Sequence, residues 1–222
     1  MCKTVLIVAA HSDDEALGCA GTMAKHVAAG DQVHVLFMTD GVGSRNGAKS
    51  DVNDRISSAE KAANILGVIS MQNLNFPDNK MDTVPLLGVT QAVESKITEI
   101  QPAIIYTHHV GDLNIDHHVT HKAVMTACRP QPDFCVKEIY AFEVLSSTEW
   151  QTPGIMLFSP NVFVDISEYM EIKRKVLDVY SYEMHDAPHS RSIENMICHA
   201  SVRGHGVGVN YAEAFISLRE IK

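Results

Sequence analysis

No Cys-x-x-Cys pair, no long apolar run and no excess of basic charge occur in this chain of 222 residues. Each absence removes a class of protein. The five cysteines, Cys2, Cys19, Cys128, Cys135 and Cys198, are odd in number and scattered. They argue against a disulfide framework and for reduced thiols, expected to be small buried hydrophobes in a cytosolic protein. No run approaches the roughly 20 apolar residues of a membrane span. The N-terminal segment enters a strand without the basic, apolar and small-residue sections of a signal peptide. The expectation is a cytoplasmic protein with no integral membrane segment. Eighteen basic residues against 27 acidic give a net charge of −9, which argues against a nucleic-acid partner. There is no Gly-x-Ser-x-Gly elbow to support a serine hydrolase. Gly18 and Gly21 lack the preceding glycine of a dinucleotide fingerprint, so close helix packing is the better reading. Asp51, Asn53 and Asp54 lack the spacing and the terminal glutamate of a calcium loop.

What is present is an ordinary globular composition, 45% apolar and 20% charged, arranged with a strand and helix rhythm. Thr4 to Ala10 is apolar and β-branched at its centre, as a strand covered on both faces should be. Helical spacing over Ala16 to Ala29 stops at Gly30. Val33 to Met38 is a second strand, followed by a turn-rich loop over Thr39 to Gly47, a length at which loops are often functional. Val52 to Leu66 reads as a helix closed by Gly67, Val68 to Leu74 as a strand, Leu86 to Ile100 as an amphipathic helix and Ala103 to Thr107 as a buried strand. Repeated strand, helix, strand order implies parallel strands joined by right-handed crossovers. The predicted fold class is α/β, a Rossmann-like three-layer domain with a mostly parallel sheet, spanning residues 1–222 as one unit. Beyond Pro130, Lys137 to Val144 and Asn161 to Asp165 read as strands and Glu168 to Tyr182 as a long helix; this part either extends the sheet or forms a flap over the site.

Two strand ends carry chemistry. The first strand empties into His11-Ser12-Asp13-Asp14-Glu15, and the strand after Pro102 into Tyr106-Thr107-His108-His109-Val110-Gly111-Asp112-Leu113-Asn114-Ile115-Asp116-His117-His118. In open α/β sheets ligands collect at the carboxyl ends of strands. A His followed three residues later by an Asp can put two ligands on one divalent ion and leave Asp13 free as a base. The bland alternatives stand beside this. Ser12 or Asp13 can cap a helix whose first turn favours acids, and Asn114 with Asp116 can form a turn that caps the helix beginning near His118. Among the remaining histidines, His108 is nearest the strand end and is the candidate pocket residue. Arg55 can bind an anionic part of a substrate or simply belong to a solvated helix face. Asp78, after Phe76-Pro77, can bind sugar hydroxyls or form an Asx turn.

Together, Ala10-His11-Ser12-Asp13-Asp14-Glu15 with Gly18 and Gly21, and Asn114-Ile115-Asp116-His117, resemble the LmbE-like or PIG-L deacetylase family. Leu66-Gly67, Phe76-Pro77-Asp78 and Tyr211-Ala212-Glu213-Ala214-Phe215 extend the resemblance over most of the chain. The usual first motif is A-H-P-D-D-E, and Ser12 replaces its proline. The resemblance implies zinc held by His11, Asp14 and His117, with other divalent transition metals compatible, and Asp13 as general base. It implies hydrolysis of an N-acetylated amino sugar or its conjugate to acetate and a free amine. Many members have H-x-D-H where this chain has Asn114-Ile115-Asp116-His117. An Asn amide can donate the oxyanion hydrogen bond of that first histidine but cannot carry a proton. Asp116 then orients another imidazole, such as His108 or a metal ligand. A homo-oligomer is compatible with these features. The alternatives are the same metal site used on another amide or in a hydration, and a noncatalytic metal or ligand-binding domain.

Overall fold

The computed structural model describes residues 2–39, 41 and 49–222. Most of the loop expected over Thr39 to Gly47 lies outside the described residues, as do the side chains of Asp51, Asn53 and Asp54. The chain forms β1 (Thr4–Ala9), α1 (Asp14–Ala28), β2 (Gln32–Thr39), α2 (Lys49–Leu66), β3 (Ser70–Phe76), α3 (Leu86–Ile100), β4 (Ile104–His108) and α4 (Ile115–Ala127). It continues through β5 (Glu138–Phe142), β6 (Val162–Asp165), α5 (Met170–Val179), α6 (Ile193–His205) and β7 (Ala212–Glu220).

The seven strands of the described residues share one sheet, in the order β3-β2-β1-β4-β5-β7-β6. The five strands from β3 to β5 are parallel; β7 runs antiparallel to both of its neighbours. Side chains alternate across a strand, and β1 shows the result. Val5, Ile7 and Ala9 pack into one buried cluster with α1, α2 and α5, while Leu6 and Val8 pack into another with α3 and α4. Three layers follow. β1 is apolar on both faces from Val5 to Ala9, and His11 stands just beyond its carboxyl end. The strand order reverses between β1 and β4, so the loops leaving these two strands diverge around a crevice, the usual ligand position in such sheets.

The segment after Pro130 extends the sheet through β5, β7 and β6. The predicted Glu168 to Tyr182 helix is shorter, Met170–Val179, and a 3-10 turn at Ser181–Glu183 follows. Helix α4 starts at Ile115 instead of near His118, because the Asn114 side chain caps it by accepting from Asp116 N at 2.8 Å. Cys19 and Cys128 are buried, but Cys2 and Cys198 are exposed, so the expectation of buried thiols holds for only part of the set. Among the described residues, no helix is long and apolar enough to cross a membrane.

Helix α1 breaks at Cys19, whose φ of −151° and ψ of 19° are not helical. The break frees backbone groups that must find other partners when buried. Glu213 of β7 accepts from Gly21 N at 3.0 Å and Thr22 N at 2.7 Å. Lys173 of α5 donates to Leu17 O at 2.8 Å and to Glu213 Oε1 at 2.6 Å. The glycines flanking the break permit close approach. A Cβ on Gly18 would lie 2.5 Å from the Phe142 ring, and one on Gly21 would lie 2.8 Å from Ile166.

Candidate metal centre

Asp14 opens α1 and is fully surrounded by protein. Its Oδ2 lies 3.2 Å from His11 Nδ1 and 3.2 Å from His117 Nε2. Three ligand atoms of the types zinc favours, two imidazole nitrogens and one carboxylate oxygen, thus converge. The far nitrogen of each ring faces a carboxylate. His117 Nδ1 is 2.9 Å from Asp112 Oδ1, and His11 Nε2 is 3.2 Å from both Asp116 Oδ2 and Asp78 Oδ1. Carboxylates on the far side fix the tautomer and direction of a ligating imidazole.

These carboxylates are themselves held. Asp116 accepts from Asn79 N at 2.6 Å and Met81 N at 3.0 Å, which ties the loop after β3 to α4. Asp112 accepts from Asn114 N at 2.9 Å, from Thr148 Oγ1 at 2.6 Å and from the Ser147 hydroxyl. Burial opposes the charge on Asp112, yet His117 and these hydroxyls hold its carboxyl below the usual range.

The electrostatics call for a cation. Burial lowers the pKa of His117, but the Asp14 and Asp112 carboxylates more than offset this and raise it to about 9. His11 is raised likewise, against burial, by Asp116, Asp14 and Asp78. Burial also disfavours ionised Asp14, yet His117 and His108 hold its carboxyl well below the usual range. Carboxylates therefore outnumber positive partners here, and the donor set fits a divalent cation at His11, Asp14 and His117.

Asp13 is built differently from its neighbour. Its φ of 131° is unusual for a residue with a side chain, and strain of this kind gathers at functional sites. The capping alternative is not realised, since its side chain makes no cap bond. Asp13 Oδ2 instead accepts from Arg191 Nη1 at 2.8 Å. Burial raises its pKa to about 6 against the pull of Arg191. Glu15 stands outside the convergence: one oxygen accepts from Asp13 N at 2.9 Å and the other from the Tyr180 hydroxyl at 2.7 Å. It braces the strained turn.

A polar cavity of about 150 Å³ opens beside these groups, lined by His11, Asp13, Asp14, His117, Asn114, Asp78, Arg55 and Arg191 among others. Asn114 reaches it as a cap residue whose Nδ2 donates to Asn79 Oδ1 at 3.0 Å. Arg55 lines the cavity in an ion pair with Glu183. His108 does not line it: the ring is fully buried, accepts from Ala10 N at 2.8 Å through Nε2 and stacks on His117 with centroids 3.8 Å apart. Asp112 and Arg191 escaped the sequence reading. Asp112 lay inside the second motif and carried a signal in its position after β4. Arg191 lies far along the chain in a segment with no motif.

Residues 6–128 match the family profile PIG-L, GlcNAc-PI de-N-acetylase. The chain is similar to the uncharacterized deacetylase YaiS of Escherichia coli (strain K12), 30% identical over 182 residues that span 79% of this chain and 89% of that protein. It is also similar to the diacetylchitobiose deacetylase of Thermococcus kodakarensis, 29% identical over 193 residues that span 79% and 68%. Among solved structures, N,N'-diacetylchitobiose deacetylase from Pyrococcus horikoshii matches with a TM-score of 0.79 at 22% identity, covering 98% of this chain and 84% of that one. At that identity the likeness speaks for the fold.

Proposed function

The chain belongs to the PIG-L (GlcNAc-PI de-N-acetylase) family, and from that membership we propose that it is a metal-dependent hydrolase that removes the acetyl group from an N-acetylated amino sugar or its conjugate. One observation carries the reading: His11 Nδ1 and His117 Nε2 meet the same Asp14 oxygen at 3.2 Å, beside a cavity that also exposes Asp13. The metal, zinc by preference, would be held by His11, Asp14 and His117. When bound, it supplies Lewis-acid chemistry, acidifying water and polarising a carbonyl oxygen.

The remaining steps belong to the protein. Arg191 engages Asp13 Oδ2, which leaves Oδ1 to take a proton from water and return it to the departing amine nitrogen. Asn114 offers an amide N–H toward the developing oxyanion, replacing the family's histidine with a donor that stays neutral. Asp116 acts as a positioning residue through His11, and Asp112 does the same through His117. Asp78, which lines the cavity and also backs His11 Nε2, is the carboxylate we assign to the sugar hydroxyls. Arg55, already paired with Glu183, supports the wall and is not a free receptor for an anion. His108 backs His117 from behind. The five unpaired thiols suit a reducing compartment, which supports our reading of a cytoplasmic enzyme whose residues 1–222 act as one deacetylase unit.

Asp13→Ala tests the assignment. Metal content should stay at the wild-type level while acetate release from a panel of acetamido sugars, N-acetylglucosamine and N,N'-diacetylchitobiose included, falls by about 10²–10⁴-fold. Undiminished turnover in that variant would remove Asp13 from the mechanism. Product analysis separates deacetylation from hydration or hydrolysis of another amide, and no turnover of the panel by the metal-loaded protein would favour a noncatalytic binding domain.

A further inference from the structure

We propose that a groove beside the metal cavity binds an uncharged alkyl or aryl group carried by the sugar, so that the preferred substrate is an acetamido sugar with an apolar aglycone. This rests on the deacetylase reading for the acetamido end of the substrate.

The metal cavity is small and polar. Its volume of about 150 Å³ falls below the roughly 300–1,000 Å³ usual for ligand pockets, so it takes the acetamido end and leaves the rest of a conjugate outside. A larger groove of about 820 Å³ lies next to it. Residues 146–149 and 190–191 stand between the two. Ser147 and Arg191 face the cavity, whereas Thr148, Glu149 and Ser190 face the groove. Arg191 Nε donates to Ser146 Oγ at 2.8 Å and the Ser190 hydroxyl donates to Glu149, so the two segments are cross-linked.

One side of the groove is an apolar ledge: Trp150 is 51% exposed, Met156 63% and Leu157 71%. These three large apolar side chains line the same groove and remain exposed to solvent. The ledge is also held in place. His109 Nε2 donates to Met156 O at 2.9 Å, and the His109 ring meets the Phe158 ring edge-on with centroids 5.4 Å apart. A Cβ on Gly111 would lie 2.0 Å from Met156 O. The ledge therefore packs directly on the segment that delivers His117, and its position relative to the metal site is fixed by the fold.

The charged groups of the groove favour an uncharged occupant. Arg203 is engaged by Glu143 through hydrogen bonds of 2.9 and 2.7 Å and lies over the Phe158 ring. A phosphate or carboxylate would have to compete with Glu143 for it. An alkyl or aryl group needs only the apolar surface that Trp150 and Leu157 already present.

Trp150 is the sole tryptophan of the chain, so its emission reports on this groove alone. The purified full chain is titrated with hexyl β-glucoside, which has no acetamide to hydrolyse, and with glucose. A saturable blue shift with the hexyl glucoside and none with glucose is expected. Leu157→Ser, at an exposed position that leaves the core untouched, should weaken that binding by about tenfold. In turnover, the ratio of kcat/KM for hexyl N-acetylglucosaminide to that for N-acetylglucosamine should exceed unity and fall by about tenfold in the same variant. No spectral response, or an equal response to both sugars, overturns the proposal. So does a shift that follows protein concentration, which would make the ledge a contact between copies of the chain. A hexyl-dependent shift without acetate release from either substrate would count against the deacetylase reading while the groove stood.

Discussion

Glu213→Gln should destabilise the protein severely although position 213 never touches the metal cavity. In the native structure one carboxylate closes three hydrogen bonds: Gly21 N at 3.0 Å, Thr22 N at 2.7 Å and Lys173 Nζ at 2.6 Å. Both charged side chains are about 4% exposed, so solvent does little to screen them. The amide keeps one acceptor, but its NH2 would face a donor, and the Lys173 ammonium would be left buried without a counter-charge. Breaking one side of such a pair costs about 3–5 kcal/mol, a large part of the roughly 5–15 kcal/mol that stabilises a folded domain. With a urea m-value near 3 kcal/mol/M, the unfolding midpoint should fall by roughly 1–2 M. Lys173→Met should cost a comparable amount, because the Glu213 charge then stays buried and Leu17 O loses its donor. The double variant should cost less than the sum of the singles by about 0.5–3 kcal/mol. It should not recover the wild-type midpoint, since the backbone groups at the α1 break remain poorly paired. Because that break follows closely on Asp14, zinc affinity should fall in the single variants as well. A midpoint within about 0.3 M of wild type for Glu213→Gln, equivalent to about 1 kcal/mol, would refute the reasoning, as would strict additivity.

Asp112→Asn removes the carboxylate behind His117, and competition with a chromophoric chelator should show zinc affinity reduced by about 10–100-fold. Zinc binding at pH 7 should release protons, approaching about two per ion, because His117, with a pKa of about 9, and His11, also raised, both carry protons in the metal-free protein. Calorimetry in buffers of different ionisation enthalpy reads this directly, and no buffer dependence would contradict it. The same shift has a sign for stability. The folded pKa of His117 exceeds its unfolded value, so its contribution is full below about 6.5 and is lost as pH rises through about 9; metal-free protein should weaken over that window in urea melts. Gly18→Ala places a methyl 2.5 Å from the Phe142 ring and should cost about 1–3 kcal/mol through overpacking, read as a lower melting temperature.

Much of the fold was legible because the central strands are apolar on both faces. Thr4–Ala9 and Leu86–Ile100 were bounded almost to the residue, since unbroken burial and a 3.6-residue period leave few alternatives. Helix α6 and strand β7 were not foreseen. The α6 segment, Ile193–His205, buries only three of its residues, so its apolar stripe is thin. Strand β7 carries a glutamate at its buried end, where polarity argues against a core strand until Lys173 and the broken α1 are known. In the site, ligand-type residues could be read from two strand ends, and Asn114 realised the capping alternative that stood beside catalysis. Asp112 could have been found from its place in the same motif.

The sequence by itself determined which groups could do the chemistry: His11, Asp13 and Asp14 follow directly on one apolar strand and His117 lies in the segment that follows another, and an open α/β sheet gathers such ends into one crevice. Tertiary structure decided how each group is used. Two adjacent aspartates, alike in sequence, diverge because Asp14 faces two imidazoles while Asp13, turned the other way by a positive φ, meets Arg191. Those partners arrive from distant segments whose approach depends on packing, so no local pattern announces them. Burial, charge and direction at this site are properties of the assembled neighbourhood, and a chain read residue by residue does not contain them.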